Sequence, residues 1–516
     1  MKCTKGVNSE VSDADKGVPI MYLSKLYEHN LTLLTDLYQI TMAQGYWKQD
    51  RENEEAVFHH FFRENPFGGG YAIAAGIHTF CDYLENFGFD EGDLEYLRTL
   101  KGNDGEPMFD DEFLQYLSEM ELDVDIDAVR EGEMVFPHEP LVRVKGPLIQ
   151  CQLLETALLN IVNFQTLIAT KASRICEAAR GEPVLEFGLR RAQGIDGGIM
   201  AARAAYIGGC VGTSNVLAGK LLDIPVKGTH AHSWVMSYES EMQSFREYAE
   251  AMPNNCIFLV DTYDTIEGVK KAVKVGADLR KQGHEMVGIR LDSGDLADLS
   301  KKARKILDEA GFPEAKIVAS NGLDEYKINR LKDEDAKITV WGVGTNLATA
   351  KDQPALGGVY KLAAIKRDTD QPWEPCIKLS EQKIKISNPG CLQVKRFFGN
   401  DGTPVGDMII NEMNDGNPGR TITDPMDGST TDFGEPWETL QMDLLQPVYR
   451  KGRIAIVDFK RRTLNDMRDY ANGNSFGKNI RHFDDPDKYP VGLSKALHKQ
   501  RQEMIESRTQ DTEEKI

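Results

Sequence analysis

The sequence predicts an α/β protein: a βα barrel of parallel strands at its centre and a second, strand-rich part after it. Three observations predict this. Between residues 183 and 342 seven short apolar runs recur, each followed by a polar or Gly-rich turn and mostly by a helical pattern. Beyond about residue 365 that cadence ends, and strand-like pieces alternate with turns rich in Gly, Pro and Asp. Finally, 516 residues exceed the roughly 100–200 of one domain, so two domains are expected.

Residues 1–30 are polar and aperiodic and read as a flexible leader. The first eighteen, MKCTKGVNSEVSDADKGV, lack an apolar core and are no secretory signal. The segment from about 31 to 150 mixes helical patches with extended runs. LLTDLYQITMAQGYW reads as a helix with Leu34, Leu37 and Ile40 on one stripe, and VFHHFFREN as an extended segment. MVFPHEPLVRV (134–144) alternates like a strand but is interrupted by two prolines. The most apolar long stretch, Cys151 to Thr170, contains Gln152, Glu155, Asn160, Asn163 and Gln165. It predicts a buried helix, not a membrane span.

Residues 166–365 carry the βα units. The runs are PVLEF (183–187), GGCVG (208–212), IPVKG (224–228), CIFLV (256–260), EMVGIRL (285–291), AKIVAS (315–320) and ITVWG (338–342), GGCVG being the weakest. The helix after EMVGIRL is legible in detail. Ser293 is its expected N-cap, Asp295 and Asp298 occupy the first turns, and Leu296, Leu299, Ile306 and Leu307 form its apolar stripe. Lys301, Lys302, Arg304 and Lys305 sit toward its end and Gly311 follows, as the helix dipole and C-cap geometry favour. Seven such units favour a barrel over an open sheet. Residues 366–516 supply the strand-like CIKLS, VKRFF and LLQPVYRKGRIAIVDF and then a charged tail.

Composition narrows the function. With 41% hydrophobic and 28% charged residues the chain is an ordinary globular one. A net charge of -20, from 61 Lys and Arg against 81 Asp and Glu, argues against nucleic-acid binding, which leaves a basic footprint. It leaves the sign of a small ligand open, because a cleft can be locally basic. The eight cysteines are scattered without a C-x-x-C pair, so reduced thiols in the cytoplasm are expected.

Active sites of βα barrels lie at the C-terminal ends of the strands. There the chain places Arg190 and Arg191; Thr229, His230, His232 and Ser233; Asp261, Tyr263 and Asp264; Arg290, Asp292, Ser293 and Asp295; Ser320, Asn321 and Gly322; and Gly342, Gly344, Thr345 and Asn346. Glycine turns in the last loops suit phosphate, which needs close backbone approach. Arg190 and Arg290 with Asp261, Asp292 and Asp295 suit a polyphosphate carrying Mg²⁺. Each piece also has a plainer reading. The Arg pair could be a solvated surface feature, Asp-Ser-Gly-Asp a turn and helix cap, and the glycine turns simple helix entries. His230 and His232 could be metal ligands of a barrel hydrolase, an acid/base or phosphoryl acceptor, or hydrogen-bonded structural residues.

Seven segments, in order, closely resemble the nicotinate phosphoribosyltransferase family: LLTDLYQITMAQGYW, FHHFFRENPFGGGYAIAAG, EFGLRRAQG, GTSNVLAGKLLDIPVKGTHAHSWV, GIRLDSGDL, VASNGLDE and WGVGTNL. They span residues 31 to 365, with a looser likeness beyond. The resemblance implies the type II phosphoribosyltransferase fold, an irregular α/β barrel beside an α/β sandwich domain built from the N- and C-terminal parts (31–165 and 366–516). It also implies a homodimer with active sites near the subunit interface. The implied reaction joins nicotinate to 5-phosphoribosyl 1-pyrophosphate with Mg²⁺, giving nicotinate mononucleotide and pyrophosphate, the first step of NAD salvage from nicotinate. ATP is the implied co-substrate, its hydrolysis coupled through a phosphohistidine.

Carried over by motif, Tyr38 would contact the pyridine ring from the partner subunit and Phe187 would stack on it. Arg190 would hold the ring or the pyrophosphate, Thr229 and Arg290 would line the nicotinate pocket, and His232 would be phosphorylated. Asp292 would bind the ribose hydroxyls with Asp261 nearby and Ser293 beside them. Gly322, Gly344 and Thr345 would receive the 5-phosphate, and Asp292 and Asp295 are the candidate Mg²⁺ ligands. Nicotinamide-using relatives carry an Asp in the stretch equivalent to GTSNVLAG. Here Thr213, Ser214 and Asn215 offer no acid, so a substrate carboxylate is tolerated.

Overall fold

A computed structural model of the chain describes residues 30–434, 439–455, 462–473 and 489–513. The expected leader, and the end of the RIAIVDF run, lie outside these residues. The chain divides into two compact units. In the smaller, residues 83–121 with 30–34, the helix Glu91–Thr99 opens on a capping box between Asp90 and Asp93. It buries Leu94 and Leu97, while the helix Asp111–Ser118 buries Phe113, Leu114 and Leu117. Residues spaced three or four apart thus share one face of each helix.

The larger unit holds the parallel sheet. Its strands are β1 (Val184–Glu186), β2 (Gly212–Thr213), β3 (Ile257–Leu259), β4 (Gly288–Leu291), β5 (Lys316–Ala319) and β6 (Val340–Val343). They lie in the order β2-β1-β6-β5-β4-β3, every neighbouring pair parallel. Buried residues such as Leu185, Phe258, Ile289, Ile317 and Trp341 explain why these strands read as short apolar runs rather than alternating ones. Six of the seven expected runs are therefore strands of one sheet. The seventh, IPVKG, contributes a single bridge between Thr213 and Val226. Pro225 has no N–H to give to a ladder, yet its carbonyl accepts from Thr213 N at 3.0 Å and Lys227 N donates to Thr213 O at 2.9 Å.

On the other side of this segment no backbone bond reaches β3 among the described residues. Instead Leu259 N donates to the His230 imidazole at 3.2 Å. One side chain therefore stands where a ladder would otherwise run.

A second, seven-stranded antiparallel sheet mixes early and late chain: Glu55–Phe61, Asp125–Ala128 and Val142–Pro147 with Val359–Lys366, Glu374–Pro375, Gln446–Arg450 and Arg453–Ile454. A third sheet is drawn from Leu392–Gly399 onward. Buried ion pairs join these parts. Arg396, fully buried, bonds Asp407 and reaches Glu133 at 2.6 Å, and Arg143 bonds both Asp127 and Glu412. Removing one partner of such a pair would strand a charge in the interior, at a cost of about 3–5 kcal/mol.

Several expectations are corrected. The helix Leu37–Trp47 buries Gln39, Ile40 and Ala43, while Leu34 and Leu37 are about half exposed, so of the expected stripe Leu34, Leu37 and Ile40 just Ile40 is buried. The apolar stretch from Cys151 is two helices, Leu148–Leu153 and Glu155–Ala178. CIKLS forms no strand. The helix after β4, Leu296–Glu309, is capped by Asp295, whose carboxylate accepts from Ala297 N and Asp298 N at 3.1 Å each, and not by Ser293.

Candidate active site

The C-terminal ends of β1, β4, β5 and β6 meet around a cavity of about 230 Å³. It is lined by Phe187, Arg190, Arg191, Arg290, Asp292, Ser320, Asn321, Gly322, Gly342, Gly344 and Thr345. Three guanidiniums face one carboxylate, so the cleft favours anions although the chain is acidic.

Arg290, the third residue of β4, organises it. Its Nε donates to Ser320 Oγ at 2.9 Å, Nη1 to Thr229 Oγ1 at 2.9 Å and Nη2 to Asp292 Oδ1 at 3.2 Å. A guanidinium has five N–H donors, so one on each terminal nitrogen stays free, a fork suited to a carboxylate. The guanidinium carbon lies 5.9 Å from the centre of the Phe187 ring. That ring lies close over Gly342, where a Cβ would come within 2.7 Å of it.

Asp261 links the next group. Its buried carboxylate accepts from Asp292 N at 2.9 Å and Ser293 Oγ at 2.6 Å, and its other oxygen meets His232 Nε2 at 3.2 Å. An acceptor at Nε2 leaves the lone pair on His232 Nδ1, on a ring that is 39% exposed. The turn after β5 is left-handed at two successive residues, Asn321 (φ 84°) and Gly322 (φ 59°), so the chain reverses sharply where the cavity meets it.

His230 belongs to the scaffold. It is buried against Tyr248, with ring centres 4.8 Å apart, and burial pulls its pKa down to about 4. A neutral ring with Nε2 accepting from Leu259 N and Nδ1 directed at Ala231 O has no nitrogen left for a metal. The H-x-H pair is thus divided between two tasks, which removes the hydrolase reading. Among the described residues no group of three or more His, Cys, Asp or Glu side chains is arranged to hold a metal ion.

Phe187, Arg190, Arg290, Asp292, Gly322, Gly344 and Thr345 therefore line one cavity, with Thr229, Ser293, Asp261 and His232 tied to it by hydrogen bonds. Two expected residues stand apart. Tyr38, 47% exposed, lines a different cavity with Glu155, Asn163 and Leu356. Asp295 is an exposed helix cap outside the cavity lining, because its carboxylate is turned onto the helix amides. Arg191, Asn321 and Gly342 line the cavity, and Ser320 does so while bonding Asp292 and Arg290; none of the four was singled out as a site residue from the sequence. Their only signal was position at a strand end. Glu186, the last residue of β1, is buried and accepts from Thr213 Oγ1 at 2.6 Å and from Gly188 N. Burial raises its pKa, and these two donors partly offset that.

Family models match most of the chain. Those described as the nicotinate phosphoribosyltransferase (NAPRTase) N-terminal domain, the NAPRTase family and the nicotinate phosphoribosyltransferase C-terminal domain match residues 33–163, 183–387 and 392–501. A nicotinate phosphoribosyltransferase of Bacillus subtilis is 42% identical over 496 residues, covering 95% of this chain and 98% of its own. The human nicotinate phosphoribosyltransferase is 36% identical over 433 residues, covering 73% and 79%. The crystal structure of human nicotinic acid phosphoribosyltransferase superposes with a TM-score of 0.78 at 31% identity, over 91% of this chain and 99% of that one. A nicotinate-nucleotide pyrophosphorylase from Pyrococcus furiosus shares the fold, with a TM-score of 0.66 at 20% identity. With a strand-end cavity lined by three arginines and family models matching residues between 33 and 501, the chain belongs to the nicotinate phosphoribosyltransferase family.

Proposed function

We propose that this chain joins nicotinate to 5-phosphoribosyl 1-pyrophosphate, forming nicotinate mononucleotide and pyrophosphate, with ATP hydrolysis coupled to the transfer, as the first step of NAD salvage from nicotinate. The observation that carries the reading is the Arg290 fork. Three of its donors are fixed by Ser320, Thr229 and Asp292, and two remain in a cavity walled by an aromatic ring. An aromatic carboxylate fits that pairing: the ring lies along Phe187 and the carboxylate meets the two free N–H groups.

In the transfer, the pyridine nitrogen attacks the anomeric carbon with its own lone pair while the bond to pyrophosphate breaks. No general base is needed. The developing positive charge on the sugar and negative charge on the leaving group call for fixed dipoles and cations. Arg190 and Arg191 supply the cations, Asp292 and Ser293 the ribose contacts, and the turns at Asn321–Gly322 and Gly344–Thr345 backbone donors for the 5-phosphate. Mg²⁺ would neutralise charge on the pyrophosphate. It prefers one or two carboxylates with substrate oxygens, and Asp292, which lines the cavity, fits; Asp295, committed to its helix, does not.

For the ATP step, His232 Nδ1 would take the γ-phosphoryl group. A nitrogen–phosphorus bond forms as the bond to ADP breaks, and water later releases phosphate. Asp261 would hold the ring and its Nε2 proton throughout. Tyr38 would complete the site of a second copy in a homodimer, consistent with its exposure away from its own chain's cavity. No helix among the described residues is long and apolar enough to cross a membrane, and the described cysteines are all free thiols, which suits the cytoplasm. Pyrophosphate release with nicotinate, nicotinamide and quinolinate, each with and without ATP and Mg²⁺, tests the reading. Turnover of nicotinamide equal to or above that of nicotinate would overturn it.

A further inference from the structure

We infer that Glu186 is a positioning residue of the transfer reaction, a buried carboxylate that bonds two strand-end segments to each other where a third packs on them. The inference rests on the proposed reaction and adds a residue to it. One carboxylate oxygen accepts from Gly188 N, in the turn between Phe187 and Arg190. The other accepts from Thr213 Oγ1 at 2.6 Å, and that hydroxyl in turn accepts from Asn215 N at 3.0 Å, at the end of β2. The third segment is the turn after β6. Gly188 is pressed so closely on it that an added Cβ would meet Gly344 O at 2.9 Å, and would also strike Ala348. Phe187 N donates to Val343 O at 2.7 Å, closing the same corner.

Glu186 stands behind the cavity wall rather than in its lining. Its side chain is about 1% exposed and needs both donors, because an acidic group buried without partners is costly. Its two bonds hold the turn carrying Phe187 and Arg190 against the end of β2, and the Gly344 turn is seated on Gly188 of that same turn. Packing alone would keep these segments in contact. The two hydrogen bonds set their register, and placement errors of about 1 Å can cost on the order of 10²-fold in rate.

The test compares wild type with Glu186→Gln, Thr213→Val and the double variant. Glutamine keeps the size of the side chain but offers one acceptor where two donors converge. Expected for Glu186→Gln is a fall in kcat of about 10–100-fold with a raised KM and Kd for 5-phosphoribosyl 1-pyrophosphate, while the unfolding temperature stays near wild type. Thr213→Val should shift the same constants in the same direction, and the double variant should be no worse than Glu186→Gln, since both act through one contact. Kinetic constants within twofold of wild type would overturn the inference. So would a fall in kcat matched by loss of folded protein with KM and Kd unchanged, or losses in the two single variants that simply multiply. Calorimetric binding of 5-phosphoribosyl 1-pyrophosphate separates the two layers. A wild type that binds it without forming nicotinate mononucleotide, with Glu186→Gln weakening that binding, would refute the reaction and keep the positioning role. A wild type that neither binds nor reacts would refute both.

Discussion

Arg290→Ala should impair use of nicotinate far more than use of nicotinamide. The side chain holds three protein contacts at 2.9, 2.9 and 3.2 Å and leaves one donor on each terminal nitrogen. A carboxylate accepting both makes two charge-assisted bonds in a half-enclosed cavity. Hydrogen bonds to charged groups contribute about 1.5–3 kcal/mol each, but the pair shares one desolvation cost, so a total near 2–3 kcal/mol is the working figure. That corresponds to a rise of about 30–150-fold in the nicotinate concentration needed. Arg290→Lys keeps the charge without the fork and should lie between, near 10-fold. The assay is initial-rate kinetics at saturating 5-phosphoribosyl 1-pyrophosphate, with nicotinamide as the reference substrate and melting curves as the control for folding. Nicotinamide, lacking the carboxylate, should shift about threefold or less. An unchanged nicotinate KM, or an equal penalty for both substrates, would remove Arg290 from the carboxylate contact.

Three further outcomes are expected. His232→Ala should abolish phosphoprotein formation and ATP stimulation while ATP-independent transfer persists; retained ATP coupling would disprove the phosphoryl-acceptor role. Mixing Tyr38→Ala with Arg290→Ala subunits should restore about a quarter of wild-type sites if Tyr38 completes the partner's cavity, whereas no recovery after subunit exchange would place Tyr38 outside it. Burial lowers the His230 pKa from 6.5 to about 4, so the unfolded chain takes up its proton before the folded one does. The associated stability is present above pH 6.5 and is lost as pH falls toward 4, up to about 3 kcal/mol for this residue. His59 and His60, also buried and held near 3 and 4, act in the same direction. His230→Gln keeps an acceptor for Leu259 N, so its melting temperature should drop less than that of wild type between pH 7.5 and 5; equal drops would refute this contribution.

Much of the site was legible because strand ends announce themselves: an apolar run stops and Arg, Asp or Gly follows. Arg190, Asp292, Gly322 and Gly344 follow that rule and line the cavity, whereas Phe187 and Arg290 lie within their runs. The helix cap was misassigned because Ser293 and Asp295 are both good caps two residues apart. Only the backbone shows that Ser293 donates to Asp261 while Asp295 turns onto the helix amides. The seventh run failed as a strand for a local reason, Pro225, together with a partner strand too short to form a ladder. Glu186 stands at the end of the first apolar run, but its place there assigns it no role. Its burial depends on Thr213 and Gly188, contacts that no sequence spacing encodes.

The imidazole bond from His230 to Leu259 gives the sheet wall an uneven stiffness. Five neighbouring pairs of strands are laced by backbone ladders, whereas among the described residues the loop after Val226 is joined to β3 and its end by two side chains, His230 to Leu259 N and His232 to Asp261. Of these, His232 is the proposed site of phosphorylation. That corner is held by side chains, while the laced strands carry Phe187, Arg290 and the glycine turns. Backbone ladders and side-chain bonds thus hold different sides of one cleft.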